Sequence, residues 1–345
     1  MCNIAGYVGT KNAAPILLDL IKKQEGIAGG YYTGIATYHD GKIYYCKLTG
    51  DVKRLIKNTD AASLPGTIGI AHTRSKSGGG DEWAHPFVGM KDGEVKVAYI
   101  ANGARGGFGI NIEKESAVAK ELDSLGYTMV RTDADNKDYP RFEDGKSVHM
   151  SDIMCQLIFK NIEDGLCEAK AMEKAFCTLP AEIVGLLLSL NTPDRIFYSR
   201  INMPASVGVA PHGTYIASIP TAFPDDAREP LWLPALSSGY VSKDGIQTIA
   251  YEDGLRGIFD LDSGARNKVY NCVLSMLEDG PKDYDYMVQE VIKLFDTTKC
   301  KQSARALYEA LYSLLKDGKV VFDVVRCEGA FPDYDAPKTM VTLVK

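Results

Sequence analysis

The sequence contains no CxxC pair, no long apolar run and no excess of positive charge. Its eight cysteines have no regular spacing, which argues against a zinc knuckle or a disulfide framework and for reduced thiols. No segment approaches the roughly 18 apolar residues of a membrane helix, and the first residues do not form a basic and then apolar leader. With 39 Lys and Arg against 45 Asp and Glu, bulk affinity for nucleic acid is not expected. We therefore expect a cytoplasmic globular protein with neither membrane nor nucleic-acid partners.

The 345 residues exceed a typical single domain, and the pattern divides them into two parts. Up to about residue 260, strand-like segments come in blocks with helical segments between them, which favours antiparallel sheets flanked by helices, an α+β fold. The sequence predicts strands at 3–9, 67–73, 95–101 (ending in a loop at Asn102-Gly103), 183–190, 194–200, 214–219 and 247–254, a hairpin turning at Asp40-Gly41, and helices at 14–23, 114–125 and 150–163.

After residue 260 the pattern changes to three helices and a short ribbon. Helices are predicted at 267–280, 285–295 and 303–318, followed by strands at 319–325 and 339–344. We therefore predict domains at 1–260 and 261–345, the second of which resembles a winged helix. From Ser263 onward, 12 Lys and Arg match 12 Asp and Glu, so this part lacks the basic face of a DNA reader. A docking or oligomerisation role is favoured over DNA binding.

Cys2 is the strongest candidate nucleophile. The small Cys side chain after Met1 permits removal of the initiator, which leaves a thiol and a free α-amine on one residue. The reference pKa is about 8.5 for a thiol and about 7.7–8.0 for an α-amine. An N-terminal residue whose own amine acts as base is a known way to activate a weak nucleophile. A chance cysteine near the start remains the alternative from this residue alone.

Four segments, MCNIAGYVG, GTIGIAHTRS, AHPF and IANG, occur in this order. Together they resemble the class II glutamine amidotransferases, and the glutaminase domain of glucosamine-6-phosphate synthase is the nearest likeness. The resemblance covers about residues 2–260. It implies the four-layer αββα sandwich of N-terminal nucleophile (Ntn) hydrolases, followed here by the small winged-helix-like domain. The remaining residues, about 85, leave no room for sugar-isomerase domains.

The resemblance also implies roles for five residues. Cys2 would attack the glutamine carboxamide, while Asn102 and Gly103, on a loop after a strand, would bind the oxyanion. Arg74 would grip the α-carboxylate. Asp152, at a helix start, would pair with the α-ammonium. Asn102-Gly103 as a plain turn and Asp152 as a helix N-cap are the alternatives.

Other residues mark departures or are left out of the site. GGYYTG lacks the Arg and Asp of the family's RGYDSAG segment, and Ser75 stands where the family has Trp. His72 and His85 have no third ligand at suitable spacing, so no zinc site is expected. We expect no metal or organic cofactor.

These observations favour a glutaminase subunit with L-glutamine as substrate and a synthase subunit that receives the ammonia. Two hypotheses remain beside it. One is an Ntn amidase acting on a different amide, and the other is a non-catalytic sensor or interaction protein with the same fold. Self-association is left open.

Overall fold

The computed structural model describes residues 1–105, 108, 112–133, 139–252, 255, 257–295 and 302–344. Cys300 and residues 253–254 of the strand predicted at 247–254 lie outside them. The strands, in chain order, are β1 (Asn3–Gly9), β2 (Tyr32–His39), β3 (Lys42–Thr49), β4 (Ile68–Arg74), β5 (Phe87–Lys91), β6 (Glu94–Ala104), β7 (Arg131–Thr132), β8 (Ser147–Val148), β9 (Glu182–Ser189), β10 (Arg195–Arg200), β11 (Ser206–Ala210), β12 (Gly213–Ala217), β13 (Leu231–Trp232), β14 (Ser237–Ser242), β15 (Gly245–Ala250), β16 (Lys282–Asp283), β17 (Val320–Glu328) and β18 (Asp335–Leu343).

The helices pack against these strands from both sides. They are α1 (Ala13–Gln24), α2 (Val52–Asn58), α3 (Ile112–Ser124), α4 (Met150–Glu163), α5 (Glu168–Thr178), α6 (Ser263–Glu278), α7 (Tyr284–Ile292) and α8 (Ser303–Lys316). None of the helices in the described ranges combines the length and the apolar character needed to cross a bilayer.

Two antiparallel sheets stack face to face. One has the strand order β13-β11-β12-β1-β4-β2-β3 and the other β15-β14-β10-β9-β6-β5. An apolar cluster between them includes Ile4, Ile70, Ile100, Leu186 and Ile196. Because β1 is central and covered on both faces, it contains almost no exposed residue, as a strand buried between two layers requires.

Helices cover the outer faces of both sheets. Leu17 and Ile21 of α1 pack against the first sheet. On the second sheet, Ile158 of α4 and Phe176 of α5 do the same. The layers therefore run helix, sheet, sheet, helix, and the predicted α+β class with antiparallel sheets is confirmed.

One prediction about local structure was wrong. Asn102 and Gly103 do not lie on a loop after a strand, because β6 continues to Ala104 and pairs Asn102 with Val184 and Gly103 with Ile183 of β9. The strand pattern of the sequence indicated where β6 begins, but the Asn-Gly pair suggested a turn. Pairing with β9 keeps this stretch extended.

The C-terminal segment, defined as residues 263–344, has the order α6-β16-α7-α8-β17-β18. Its sheet has three strands, β16-β18-β17, one more than the predicted two-stranded ribbon. The helices enclose a cluster that includes Leu307 and Leu311, and Ile27 and Ile219 from the preceding layers join that cluster. The C-terminal segment therefore shares its core with the rest of the chain.

The β17–β18 hairpin of this segment lies against residues 26–31. Tyr334 donates its hydroxyl hydrogen to the carbonyl of Gly30 at 2.6 Å, and the amide of Thr339 donates to the carbonyl of Gly26 at 2.8 Å. A Cβ at Gly30, where φ is +94°, would lie 2.8 Å from the ring of Pro337. Only glycine allows this close approach without strain.

Candidate active site

A cavity of about 510 Å³ lies where β1, β4, β6 and β9 meet the C-terminal segment. Cys2, Arg74 and Gly103 line it, so three of the five residues singled out in the sequence are on one surface. Residues of α7 and of the start of α8, among them Val288 and Ala304, also line it. The cavity is therefore lined both by Cys2 and by the C-terminal segment.

Cys2 lies one residue before β1. Its backbone nitrogen donates to Oδ1 of Asn102 at 3.3 Å, and its Sγ lies 3.8 Å from Oγ of Ser75. In this structure the nitrogen belongs to the Met1–Cys2 peptide bond, and it stands in for the α-amine that removal of Met1 would create. Thiol and prospective amine thus both have a polar neighbour at the cavity.

Asn102 is fully buried, and only one of the two polar atoms of its side chain forms a hydrogen bond with a described residue. Oδ1 accepts the bond from Cys2, while Nδ2 has no hydrogen-bond partner among the described residues. A buried amide donor without a partner is costly unless a ligand or water satisfies it. Asn102 therefore offers a free N–H donor beside Cys2. Gly103 follows it on the strand, where a Cβ would approach the carbonyl oxygen of Glu182 to 2.5 Å.

Arg74 is the last residue of β4, and only 1% of it is exposed. Its guanidinium donates to the carbonyls of Trp83 at 3.2 Å and Gly78 at 2.8 Å. Its Cζ lies over the ring of Tyr32, 4.4 Å from the ring centre. No acidic side chain in the described part of the chain forms an ion pair with it. A buried arginine that lacks a carboxylate partner is suited to an anionic ligand.

Asp152 does not line the cavity with Cys2. Its oxygens accept from the amide of Val130 at 2.7 Å and from Nε2 of Gln156 at 3.0 Å. Burial raises the pKa of Asp152 to about 6. It is not the N-cap of α4 either, because Nδ1 of His149 accepts from the amide of Ser151 at 3.1 Å in that role.

Three buried histidines contact one another or nearby rings at this site, and two of them, His85 and His149, line the cavity. The ring centres of His72 and His85 lie 3.9 Å apart. Nε2 of His72 is 2.9 Å from the carbonyl oxygen of Ala101. Burial lowers the pKa of His72 to about 3, and it lowers those of His85 and His149 well below the ordinary value. All three rings are therefore neutral near pH 7. Within the described ranges, no group of His, Cys, Asp and Glu has the arrangement of a metal site.

Sequence reasoning missed several cavity residues. Glu182 is the one carboxylate residue on the cavity wall as far as the chain is described, and Asn202 donates to its Oε1 at 3.3 Å. Ser151 and Met150 of α4 reach the cavity although Asp152 does not. Glu182 begins a buried strand, and that position was the only signal available. The contributions of α7 and α8 had no local signal at all.

No family model matches the chain. Among curated proteins, it is 26% identical over 331 residues to the glutamine–fructose-6-phosphate aminotransferase (isomerizing) of Pyrococcus horikoshii, which is 94% of this chain and 48% of that protein. The protein of the same name from Chlorobaculum tepidum is 27% identical over 269 residues, 76% of this chain and 40% of that protein. The chain thus spans about half the length of these relatives or less.

Two solved structures share the fold. One, described as the allosteric regulatory enzyme of purine biosynthesis, superposes with a TM-score of 0.59 at 16% identity over 80% of this chain and 58% of that one. The other is the glutamine phosphoribosylpyrophosphate amidotransferase of B. subtilis, complexed with ADP and GMP. It has a TM-score of 0.58 at 15% identity over 93% of this chain and 66% of that one. At these identities the likeness concerns the fold.

Proposed function

We propose that this chain, a homologue of the class II glutamine amidotransferases, hydrolyses L-glutamine to glutamate and ammonia through a thioester on Cys2. The observation that carries the proposal is the 3.3 Å contact between the nitrogen of Cys2 and Oδ1 of Asn102, beside a cavity that Cys2 and Arg74 both line. The ammonia would be handed to a synthase partner. The relatives are named as aminotransferases of glutamine and fructose 6-phosphate, and this chain does not span their remaining length.

The reaction starts once Met1 is removed and the amine of Cys2 is free. The amine accepts the thiol proton while Sγ attacks the carboxamide carbon of glutamine. When the tetrahedral intermediate collapses, the C–N bond breaks and the same proton goes to the leaving NH₂ group, which departs as ammonia. Water then attacks the thioester, releases glutamate and restores the thiol. Protons and electron pairs balance without a cofactor.

The oxyanion of the intermediate needs fixed donors. Nδ2 of Asn102, which is buried beside Cys2 with no partner among the described residues, supplies one. The backbone N–H of Gly103, the next residue of β6, is the second donor in this proposal. Both belong to a strand paired with β9, so their positions are set before substrate binds.

The charged ends of glutamine are assigned to different elements. Arg74 binds the α-carboxylate with guanidinium hydrogens that its bonds to Gly78 and Trp83 leave available. For the α-ammonium we propose Glu182, because it lines the cavity. Asp152, expected from the sequence in that role, lies behind the wall with both oxygens already accepting hydrogen bonds.

The C-terminal segment is proposed as the docking domain for the synthase. Its element order and three-stranded sheet support the winged-helix-like arrangement and the division near residue 260. The β17–β18 hairpin is occupied by contacts with residues 26–31, and Arg326 of β17 forms an ion pair with Asp51 at 2.9 Å. A hairpin held in this way is poorly placed to enter a DNA groove, which supports a protein partner.

The test is glutamate release from the purified full chain. Wild type is expected to turn over glutamine and to be labelled once by diazo-oxo-norleucine, with the label on Cys2 in intact-mass and peptide spectra. Cys2→Ala is expected to lose both properties. Turnover by Cys2→Ala near the wild-type rate would reject the thioester.

One contact favours the non-catalytic alternative, and the same spectra test it. The hydroxyl of Tyr284 donates to Sδ of Met1 at 3.3 Å, so Met1 has a packed position beside the C-terminal segment. A cell-made protein that retains Met1 would have no free α-amine on Cys2, and the sensor function would then be preferred.

A further inference from the structure

The C-terminal segment reaches the residue next to the nucleophile. The hydroxyl of Tyr308, in the middle of α8, donates to Oδ1 of Asn3 at 2.8 Å, and both residues are fully buried. Burial raises the pKa of Tyr308 well above its ordinary value, so the hydroxyl keeps the proton that it donates. Tyr308 is thus hydrogen-bonded to the residue that follows Cys2, although 305 residues separate the two partners in the chain.

The side chain of Asn3 forms three hydrogen bonds, each to a different part of the chain. Besides accepting from Tyr308, it donates from Nδ2 to the carbonyls of Gln24 and Ala28, each at 2.9 Å. The backbone of Asn3 pairs with Thr73 of β4, the residue before Arg74. Asn3 therefore connects α8 with the end of α1, with residues 26–31 and with β4, the strand that ends at Arg74.

The position of the Cys2 thiol depends directly on this residue. Cys2 precedes the first residue of β1, so no ladder of strand hydrogen bonds holds it, and Asn3 is its first fixed covalent neighbour. A shift of about 1 Å in a reacting group lowers rates by as much as 100-fold. Loss of the Tyr308 bond would leave a buried acceptor on Asn3 unsatisfied and allow Asn3 to turn.

We propose that Tyr308 is a positioning residue for Cys2, through which the C-terminal segment sets the activity of the glutaminase site. The inference rests on the proposed glutamine hydrolysis. It goes beyond that function because it makes α8 part of the catalytic apparatus. Anything that moves α8 relative to β1 then changes the rate of attack at Cys2.

The experiment compares Tyr308→Phe with Tyr7→Phe in the full chain. Tyr7 is a matched control: it is buried on β1 itself and donates to the carbonyl of His212 at 2.8 Å, but it lies at the end of the strand away from Cys2. Tyr308→Phe is expected to lower kcat for glutamine at least tenfold and to change KM less than twofold. Tyr7→Phe is expected to keep kcat within twofold of wild type.

A second readout does not require glutamine. The rate at which iodoacetamide alkylates Cys2 is measured against pH in the same three proteins, with melting temperatures recorded to separate unfolding from repositioning. A changed profile in Tyr308→Phe alone supports the inference. Equal kcat values and equal alkylation profiles in the two variants would overturn it. If wild type does not hydrolyse glutamine, the proposed function fails, and the alkylation profiles still decide the role of Tyr308.

Discussion

The backbone nitrogen of Cys2 lies 3.3 Å from Oδ1 of Asn102, although 100 residues separate them in the chain. This contact turns the side-chain oxygen of Asn102 towards the nitrogen of Cys2, and the NH₂ group has no hydrogen-bond partner among the described residues. Asn102 would thus hold the base in place with one atom and stabilise the oxyanion with another.

Asn102→Ala is therefore expected to lower kcat for glutamine hydrolysis by about 100-fold, with a smaller change in KM, because it removes a donor that acts on the intermediate. Steady-state kinetics on glutamine measure the effect. Asn161→Ala is the matched control, since Asn161 is also buried and donates to the carbonyl of Ala171, on the helical side of the second sheet. Equal kcat values for the two variants would refute the oxyanion role.

Replacement of Arg74 distinguishes glutamine from other amides as the substrate. Arg74→Ala is expected to lower kcat/KM for glutamine at least 100-fold, and to have little effect on hydrolysis of a simple amide such as butyramide, which has no α-carboxylate. Arg195→Ala provides the control. The Cζ of Arg195 lies 4.4 Å from the ring centre of Tyr240, the same distance as from Arg74 to the ring of Tyr32. A similar decrease of kcat/KM for both substrates would favour an amidase that acts on a different amide.

Glu182→Gln tests the proposed partner of the substrate ammonium. We expect KM for glutamine to rise about tenfold, because an ion pair becomes a neutral hydrogen bond. KM for 4-carbamoylbutanoate, which lacks the amino group, should not change. Asp152→Asn is the comparison. If Asp152→Asn shows the glutamine-specific effect and Glu182→Gln does not, the original assignment from the sequence is restored.

Glu25 gives a stability prediction with a defined sign. Burial raises its pKa from 4.5 to about 8, and Oε2 accepts from the amide of Val52 at 3.0 Å. Between these two pH values the folded chain binds a proton that the unfolded chain has lost. The free energy of unfolding therefore falls as pH rises, by up to about 1.4 kcal/mol per pH unit, and the contribution is intact only below pH 4.5.

Glu25→Gln should remove this dependence. Relative to wild type, its free energy of unfolding is expected to be similar below pH 4.5 and to become progressively higher up to about pH 8. Denaturant titrations at a series of pH values measure the difference, and Glu278→Gln, at an exposed position of α6, is the control. A constant difference across the range would show that Glu25 titrates normally.

Residues fixed by local sequence were predictable. Cys2 owes its candidacy to its position behind Met1, and Arg74 and Asn102 occur in segments whose order resembles a known family. The α4 helix was predicted at its observed limits, 150–163. These features depend on short stretches of chain, where periodicity and motif carry the information.

Residues whose positions depend on packing could not be predicted from the sequence. The limits of α4 do not reveal its rotation, and that rotation turns Ser151 towards the cavity and Asp152 towards Val130. Pairing with β9 straightens the Asn102–Gly103 stretch, which local propensity assigned to a turn. Tyr308 and Asn3 are 305 residues apart, so no pattern within a helix or a strand indicated their contact.

The apolar cluster that joins Ile27 and Ile219 to the helices of the C-terminal segment has a practical consequence. A fragment cut near residue 260 would bare both side chains to water and leave the acceptor on Asn3 without its tyrosine. Such a fragment should be prone to aggregate and should be a poor substitute for the full chain. Protein prepared for assay should therefore retain the chain through β18.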